Sequence, residues 1–264
     1  MTALDDIAFL ARSQNRVTVL ETLSSGPHDR AELQEATGIS RPTVGRIVTE
    51  FQARGLVSQR KNQYTTSPLG DFLATEFRSL LEGAETMRQL RGVIEWLPTD
   101  EFDFTLDHFA DATITLVKLS DAIAPVYRAI ELLENADHLH LLASSFVPAS
   151  FEAHWRATVN GTQTSEVVVT ADIIDTILAD EELTKRLEEI IRSDTATFSC
   201  YDGMIPYGAV FTADDVAVFA LVDEHGAPQT IIETEDEAIR SWITATIDAH
   251  QRDANRLDPD AFTS

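Results

Sequence analysis

Two groups of residues in this chain have types and spacing suited to contacting a partner. In the first, Arg41, Thr43, Arg46, Thr49 and Glu50 fall on the outward side of a segment whose Val44, Ile47, Val48 and Phe51 repeat at i, i+3, i+4, i+7. A guanidinium can fork onto guanine O6 and N7 or clamp a phosphate, and a threonine methyl can pack on thymine. Ser40 stands at the start of this segment, and Gly45 leaves room for close approach. Arg60, Lys61, Asn62 and Gln63 cluster further on, between two short strand-like runs, where a phosphate or minor-groove contact is the usual role. In the second group, Ser144, Ser145, Asp202 and Tyr207 stand near the ends of predicted strands, with Trp155 and Arg156 nearby. Open α/β sheets place small-molecule sites at strand ends, so these six form the expected effector pocket.

Other chemistry finds little support. His138 and His140 share one face of a predicted strand, as metal ligands can, but no third ligand accompanies them. Both read as surface residues. The single cysteine, Cys200, excludes an internal disulfide and a cysteine-rich zinc site, and reads as buried filler. The glycines are scattered rather than gathered in a phosphate-binding loop, and no nucleophile–base pair is evident. No catalytic residue, metal or cofactor is expected, and the chain reads as a non-enzyme.

The elements that must carry these residues are legible. Leu4, Ile7, Ala8, Ala11, Val17, Leu20 and Leu23 recur at helical spacing and stop at Ser24-Ser25-Gly26-Pro27. Asp29 and Glu32 open a short helix as a capping box. Gly38-Ile39-Ser40 turns the chain, Ser40 is a natural N-cap, and Pro42 fits the first turn of a helix from Arg41 to Arg54. Leu56–Arg60 and Gln63–Thr66 make a hairpin. This order is that of a winged helix-turn-helix.

Charge separates this part from the rest. The chain has 264 residues, with 20 Lys+Arg against 44 Asp+Glu, a net charge of -24. Only Lys61, Lys118 and Lys185 are lysines. An acid-rich, lysine-poor surface is that of a halophilic protein. Residues 1–80 are neutral, with nine bases and nine acids, so the whole excess lies beyond them. A neutral module in so acidic a chain must tolerate something negative. No apolar run is long enough to span a membrane, and the N-terminus lacks the pattern of a signal peptide, so a cytoplasmic protein is expected.

The stretch Leu33-x3-Thr37-Gly38-x-Ser40-x2-Thr43-Val44-x-Arg46, then Phe51-x3-Gly55-Leu56-Val57, then Tyr64-x-Thr66-x2-Leu69-Gly70, resembles winged-helix transcription regulators of the MarR/ArsR/TrmB-like group. The resemblance implies double-stranded DNA as partner and Ser40, Arg41, Thr43, Arg46, Thr49, Arg60, Lys61 and Asn62 as its contacts. Beyond residue 110, Ile205-Pro206-Tyr207-Gly208, a hairpin and a closing Trp-containing helix resemble the effector domain of archaeal regulators of the methanogenesis-regulator type. These share a phospholipase-D-like layout with TrmB-like regulators. The His-x-Lys pair of catalytic phospholipase-D enzymes is absent: His138-Leu139-His140 and His154-Trp155-Arg156 do not supply it.

The expected fold is therefore α+β. Residues 1–80 form a winged helix-turn-helix domain, 81–100 a helical connector, 101–252 an α/β effector and dimerisation domain with a mixed sheet, and 253–264 a polar tail. The expected function is a sequence-specific transcription regulator, a homodimer paired through the helices near 3–10 and 72–90, sensing a small molecule or a partner. The alternative is a winged-helix adaptor that binds protein and has no DNA site of its own.

Overall fold

The structure, a computed structural model, describes residues 2–258. It divides into two compact units, Met1–Glu85 and Thr86–Ser264, so the division falls inside the stretch read as a connector.

The first unit contains α1 (Ala3–Ala11), α2 (Gln14–Ser24), α3 (Arg30–Thr37), α4 (Arg41–Ala53), β1 (Val57–Arg60) and β2 (Gln63–Thr66), and takes in most of α5 (Pro68–Leu90). The apolar run from Leu4 to Leu23 is two helices, because Ser13 takes an extended backbone (φ -151°) and interrupts it. Asp29 Oδ1 accepts from the amides of Ala31 and Glu32, and Glu32 returns the bond to the Asp29 amide at 2.6 Å. The expected capping box is therefore formed. Ser40 does hold the N-cap position of α4, but its hydroxyl bonds Thr43 Oγ1 at 2.9 Å instead of capping a backbone amide. Pro42 is the reason in part: a proline in the first turn has no N–H to offer.

Leu10, Leu20, Leu23, Leu33, Val44, Ile47 and Phe51 fill the core of this unit. Phe9 meets Phe51 edge-on at 6.0 Å and lies under the guanidiniums of Arg16 and Arg54. Gly70 is required where α5 crosses the entry to the hairpin. A Cβ there would stand 2.0 Å from the Leu56 carbonyl oxygen. Helix, helix, turn, helix, hairpin is the expected order.

The second unit is built on an eight-stranded mixed sheet in the order β10-β6-β5-β4-β7-β8-β9-β3. The strands are β3 (Thr113–Leu116), β4 (His138–Ala143), β5 (Thr164–Thr170), β6 (Ala196–Tyr201), β7 (Ala209–Ala213), β8 (Val216–Val222), β9 (Pro228–Thr234) and β10 (Asn255–Arg256). β4 pairs parallel with β5 and antiparallel with β7, and so is the seam of the sheet. α6 (Ala124–Asn135) precedes β4, while α7 (Pro148–Val159) and the pair α8 (Ala171–Leu178) and α9 (Glu181–Ile191) make the crossovers between the parallel strands.

Alternation along the strands gives the sheet two buried faces. Leu142, Val168, Val210, Phe219 and Ile232 pack on α10 (Glu237–Asp253) through Ile239, Trp242, Ile243 and Ile247. Ala143, Val167, Val169, Phe198, Phe211 and Ile231 lie in the clusters built with α6–α9. The acidic stretch after Trp96 forms short 3-10 turns, with Phe102 5.0 Å from Trp242 and Trp242 Nε1 donating to the Glu101 carbonyl. The expected polar tail begins differently: Asn255 and Arg256 pair with Cys200 and Ser199 as an edge strand. Backbone hydrogen bonds make this strand, and two polar residues carry no periodic signal of it. Residues 259–264 lie outside the described residues.

Candidate nucleic-acid interface and effector cavity

On the first unit, Arg30, Arg41, Pro42, Gly45, Arg46, Thr49 and Glu50 line one shallow concavity. The periodicity of α4 sends Val44, Ile47 and Val48 inward and leaves Arg41, Arg46 and Thr49 exposed. Arg46 Nη1 bonds Glu50 Oε1 at 2.9 Å, and Arg16 bonds Glu50 Oε2 at 2.9 Å. The Glu50 carboxylate is thus held between two guanidiniums. Thr49 Oγ1 donates to the Gly45 carbonyl, and Thr43 is tied to Ser40.

Arg30, which sequence reasoning passed over, stands beside this face. Its guanidinium would be 3.8 Å from a Cβ added at Gly45 and lies 5.6 Å from the Tyr64 ring centroid. Its place at the first position of α3, across from Gly45, shows only in three dimensions. On the hairpin, Lys61 turns in the left-handed region (φ 54°), and Gln59 Nε2 donates to its carbonyl at 2.9 Å. Arg60, Lys61 and Asn62 are all exposed there. Arg41, Arg60 and Lys61 form no salt bridge among the described residues.

In the second unit the six expected effector residues are only partly together. Ser144 Oγ donates to the Tyr207 carbonyl at 2.6 Å, and the Ser145 amide bonds Gly208. Tyr207 itself is buried on the α10 side, its hydroxyl lacks a hydrogen-bond partner, and burial together with the charge of Glu101 holds its proton on. Trp155 donates to Glu189 at 2.8 Å and takes Arg186 over its ring, Arg156 pairs with Glu152, and Asp202 is exposed just past β6.

Of the six, Ser145 alone lines an apolar cavity of this unit, a hollow of about 120 Å³ between the sheet and α6, α7 and α8. Pro125, Val126 and Leu133 of α6, Phe151 of α7, and Ile173 and Ile177 of α8 form its roof. His154 is the one ionisable side chain on the wall. It is buried, with Nε2 2.9 Å from Ser165 Oγ, and burial pushes its imidazole down to about 4, so it is neutral at pH 7.

His138 Nδ1 meets Thr164 Oγ1 at 2.6 Å, and His140 stands 3.7 Å from Glu166 and 3.6 Å from Asp248. Among the described residues no group of three or more His, Cys, Asp or Glu side chains is arranged to hold a metal ion. Cys200 is half-buried, and burial, with Asp202 and Asp175 adding to it, pushes its thiol up. No helix among the described residues is long and apolar enough to cross a membrane.

With a helix-and-hairpin unit and a mixed-sheet unit in place, the chain has the make-up of a transcription regulator. Residues 4–89 match the family model of the HVO_A0261 N-terminal domain, and residues 123–253 match that of the middle domain of the methanogenesis regulatory protein FilR1. The chain therefore contains segments similar to these two families, the second named for a regulatory protein, in line with the motif resemblance.

Among solved structures the chain is similar to TrmBL2, an archaeal chromatin protein, at 14% identity over 96% of this chain and 99% of that one, with a TM-score of 0.42. It is also similar to Nuc of Salmonella typhimurium, a phospholipase D family member (10% identity, 56% and 97% covered, TM-score 0.43). A third is NucT of Helicobacter pylori (10% identity, 55% and 98% covered, TM-score 0.40). No curated protein sequence is significantly similar to the chain.

Proposed function

We propose that the chain is a sequence-specific DNA-binding transcription regulator that acts as a homodimer and is controlled through its C-terminal domain. The observation that carries this reading is the exposed face of α4. There Arg41, Arg46 and Thr49 stand with Arg30 on a neutral unit of an otherwise acidic chain, while Arg60, Lys61 and Asn62 tip the hairpin. On this reading α4 enters the major groove and the hairpin contacts the backbone or minor groove.

A dimer is supported by apolar side chains left outside: Leu4 is 76% exposed on α1, and Phe72 is 66% and Leu80 52% exposed on α5. Two-fold pairing of these helices would set two recognition helices on the half-sites of a palindromic operator. The α/β domain would bias the spacing of those helices and perform no catalysis.

The test is selection of genomic fragments by the full chain, then anisotropy titration in about 2 M KCl, where sequence-independent phosphate attraction is largely suppressed. Saturable binding to a two-fold-related site is expected, and Arg46→Ala should weaken it by about 1–3 kcal/mol per half-site. No enrichment at high or low salt would refute the reading in favour of the protein-binding adaptor. An unchanged affinity in Arg46→Ala would refute the docking of α4.

A further inference from the structure

The hollow in the second unit has a floor made by a deliberate loss of volume. Ala143 of β4 is the register partner of Ala209 of β7, and Ala209 is the partner of Ala220 of β8. The row continues at full size on both sides, to Val169 on β5 and Ile231 on β9. Register partners point to the same face of a sheet, so three adjacent alanines lie side by side under α6 and α7. All three line the cavity, and Gly208 beside them carries no side chain at all. Alanine is depleted in strands, where β-branched and aromatic residues pack best. Three in one row, on three central strands, leave a cavity in the middle of a sheet that is otherwise Val, Ile and Phe.

The wall specifies what would fill it. In a chain with 44 carboxylates, none lines the cavity, and no lysine or arginine does either. His154 is uncharged and its Nε2 is engaged with Ser165. Thr230 Oγ1 already donates to the Thr115 carbonyl, and Ser145 Oγ lies 3.4 Å from the Gly226 carbonyl. Ser150 adds one further hydroxyl to the lining, too little to replace the hydration that a charged or polyhydroxylated molecule would lose there. At about 120 Å³ the volume is close to that of apolar protein cavities that stay dry and admit benzene.

We propose that this cavity is a binding site for a neutral, mostly hydrocarbon molecule of benzene to toluene size, seated on the Ala143–Ala209–Ala220 row. Its role as an effector site rests on the regulator reading, but its occupancy does not.

The full chain is titrated by calorimetry with benzene, toluene and glucose, while the methyl resonances of Leu133, Val167, Ile173 and Ile177 are followed by NMR. Toluene is expected to bind saturably, with Kd on the order of 0.1–1 mM for so small a ligand, and to shift these methyls first. Glucose should do neither. Ala209→Val places two methyls on the floor and should weaken toluene binding at least tenfold.

The proposal is overturned if toluene leaves these methyls unmoved, if its shifts fall elsewhere, if glucose binds here, or if a folded Ala209→Val binds toluene as before. Should Ala209→Val fail to fold, the wild-type methyl shifts decide alone. DNA affinity is read on the same samples. Toluene binding without any DNA binding sinks the regulator reading alone, and DNA binding without toluene binding sinks the cavity proposal alone.

Discussion

Acid should unfold the second unit through one histidine. His154 sits buried on α7, stacked at 6.4 Å on Phe198 and bonded to Ser165, with its imidazole at about 4. In the unfolded chain the same group has an ordinary value near 6.5. Between these two values the unfolded state binds a proton that the folded state refuses, so stability falls as pH falls. The loss begins near pH 6.5, is complete near pH 4, and comes to about 3 kcal/mol. That is a large fraction of the roughly 5–15 kcal/mol that holds a domain folded.

His108 acts outside this window. The bond that His108 donates to the Asp236 carboxylate raises its proton affinity, so its contribution is present at low pH and is lost as pH rises through that raised value. Asp223, lowered chiefly by the Ala227 amide, loses its share only as pH falls through a value below the ordinary carboxylate range.

The assay is urea unfolding at pH 7, 6, 5 and 4 in constant KCl, followed by tryptophan fluorescence. Trp96, Trp155 and Trp242 all lie beyond Glu85, so the signal follows the second unit. The comparison is the double variant His154→Met with Ser165→Ala, which removes both partners and leaves no orphaned polar group. The variant should lose about 3 kcal/mol less than the wild type between pH 6.5 and pH 4. Parallel curves for the two proteins would refute the assignment of the slope to His154.

Three further outcomes are expected. Gly70→Ala forces a Cβ to within 2.0 Å of the Leu56 carbonyl, and should destabilise the first unit by about 1–3 kcal/mol, read by circular dichroism. DNA affinity should fall with salt, and Lys61→Ala should make the slope of log K against log salt shallower by about 0.9 per protomer, whereas a slope indifferent to Lys61 would remove the hairpin from the interface. Cys200 should resist alkylation by iodoacetamide at pH 7.5 in the folded chain and react on unfolding, because burial keeps its thiol protonated; rapid reaction in the native state would contradict this.

Much of the fold was legible because the signals were local. Asp29 and Glu32 mark the start of α3, Gly38 marks its end, and the Val44–Phe51 periodicity defines the buried side of α4. The strand carrying His138 and His140 forms as β4 (His138–Ala143). The proposed interface residues on α4 follow from that periodicity, whereas Arg30 reaches the same surface only through the packing of α3 on α4. The cavity was illegible for a different reason. Polar residues at strand ends draw attention, but Ala143, Ala209 and Ala220 are scattered in the chain and unremarkable singly. They become a floor only once strand register sets them side by side. Apolar hollows are written in missing volume, which no motif records.

The carboxylate of Glu50 between Arg16 and Arg46 has a consequence for how Arg46 can meet DNA. Arg46 shares that one carboxylate with Arg16, so on the proposed docking it would bring to the groove a fork of N–H donors whose charge is partly offset. Such a group would free fewer condensed cations than an unpaired arginine, and its share of the affinity should fade less as salt rises. On the proposed docking it would serve as a reader of base edges more than an anchor on the backbone. On the same reading the anchoring, and with it the sensitivity to salt, would fall to Arg41 and to the cations at the tip of the hairpin.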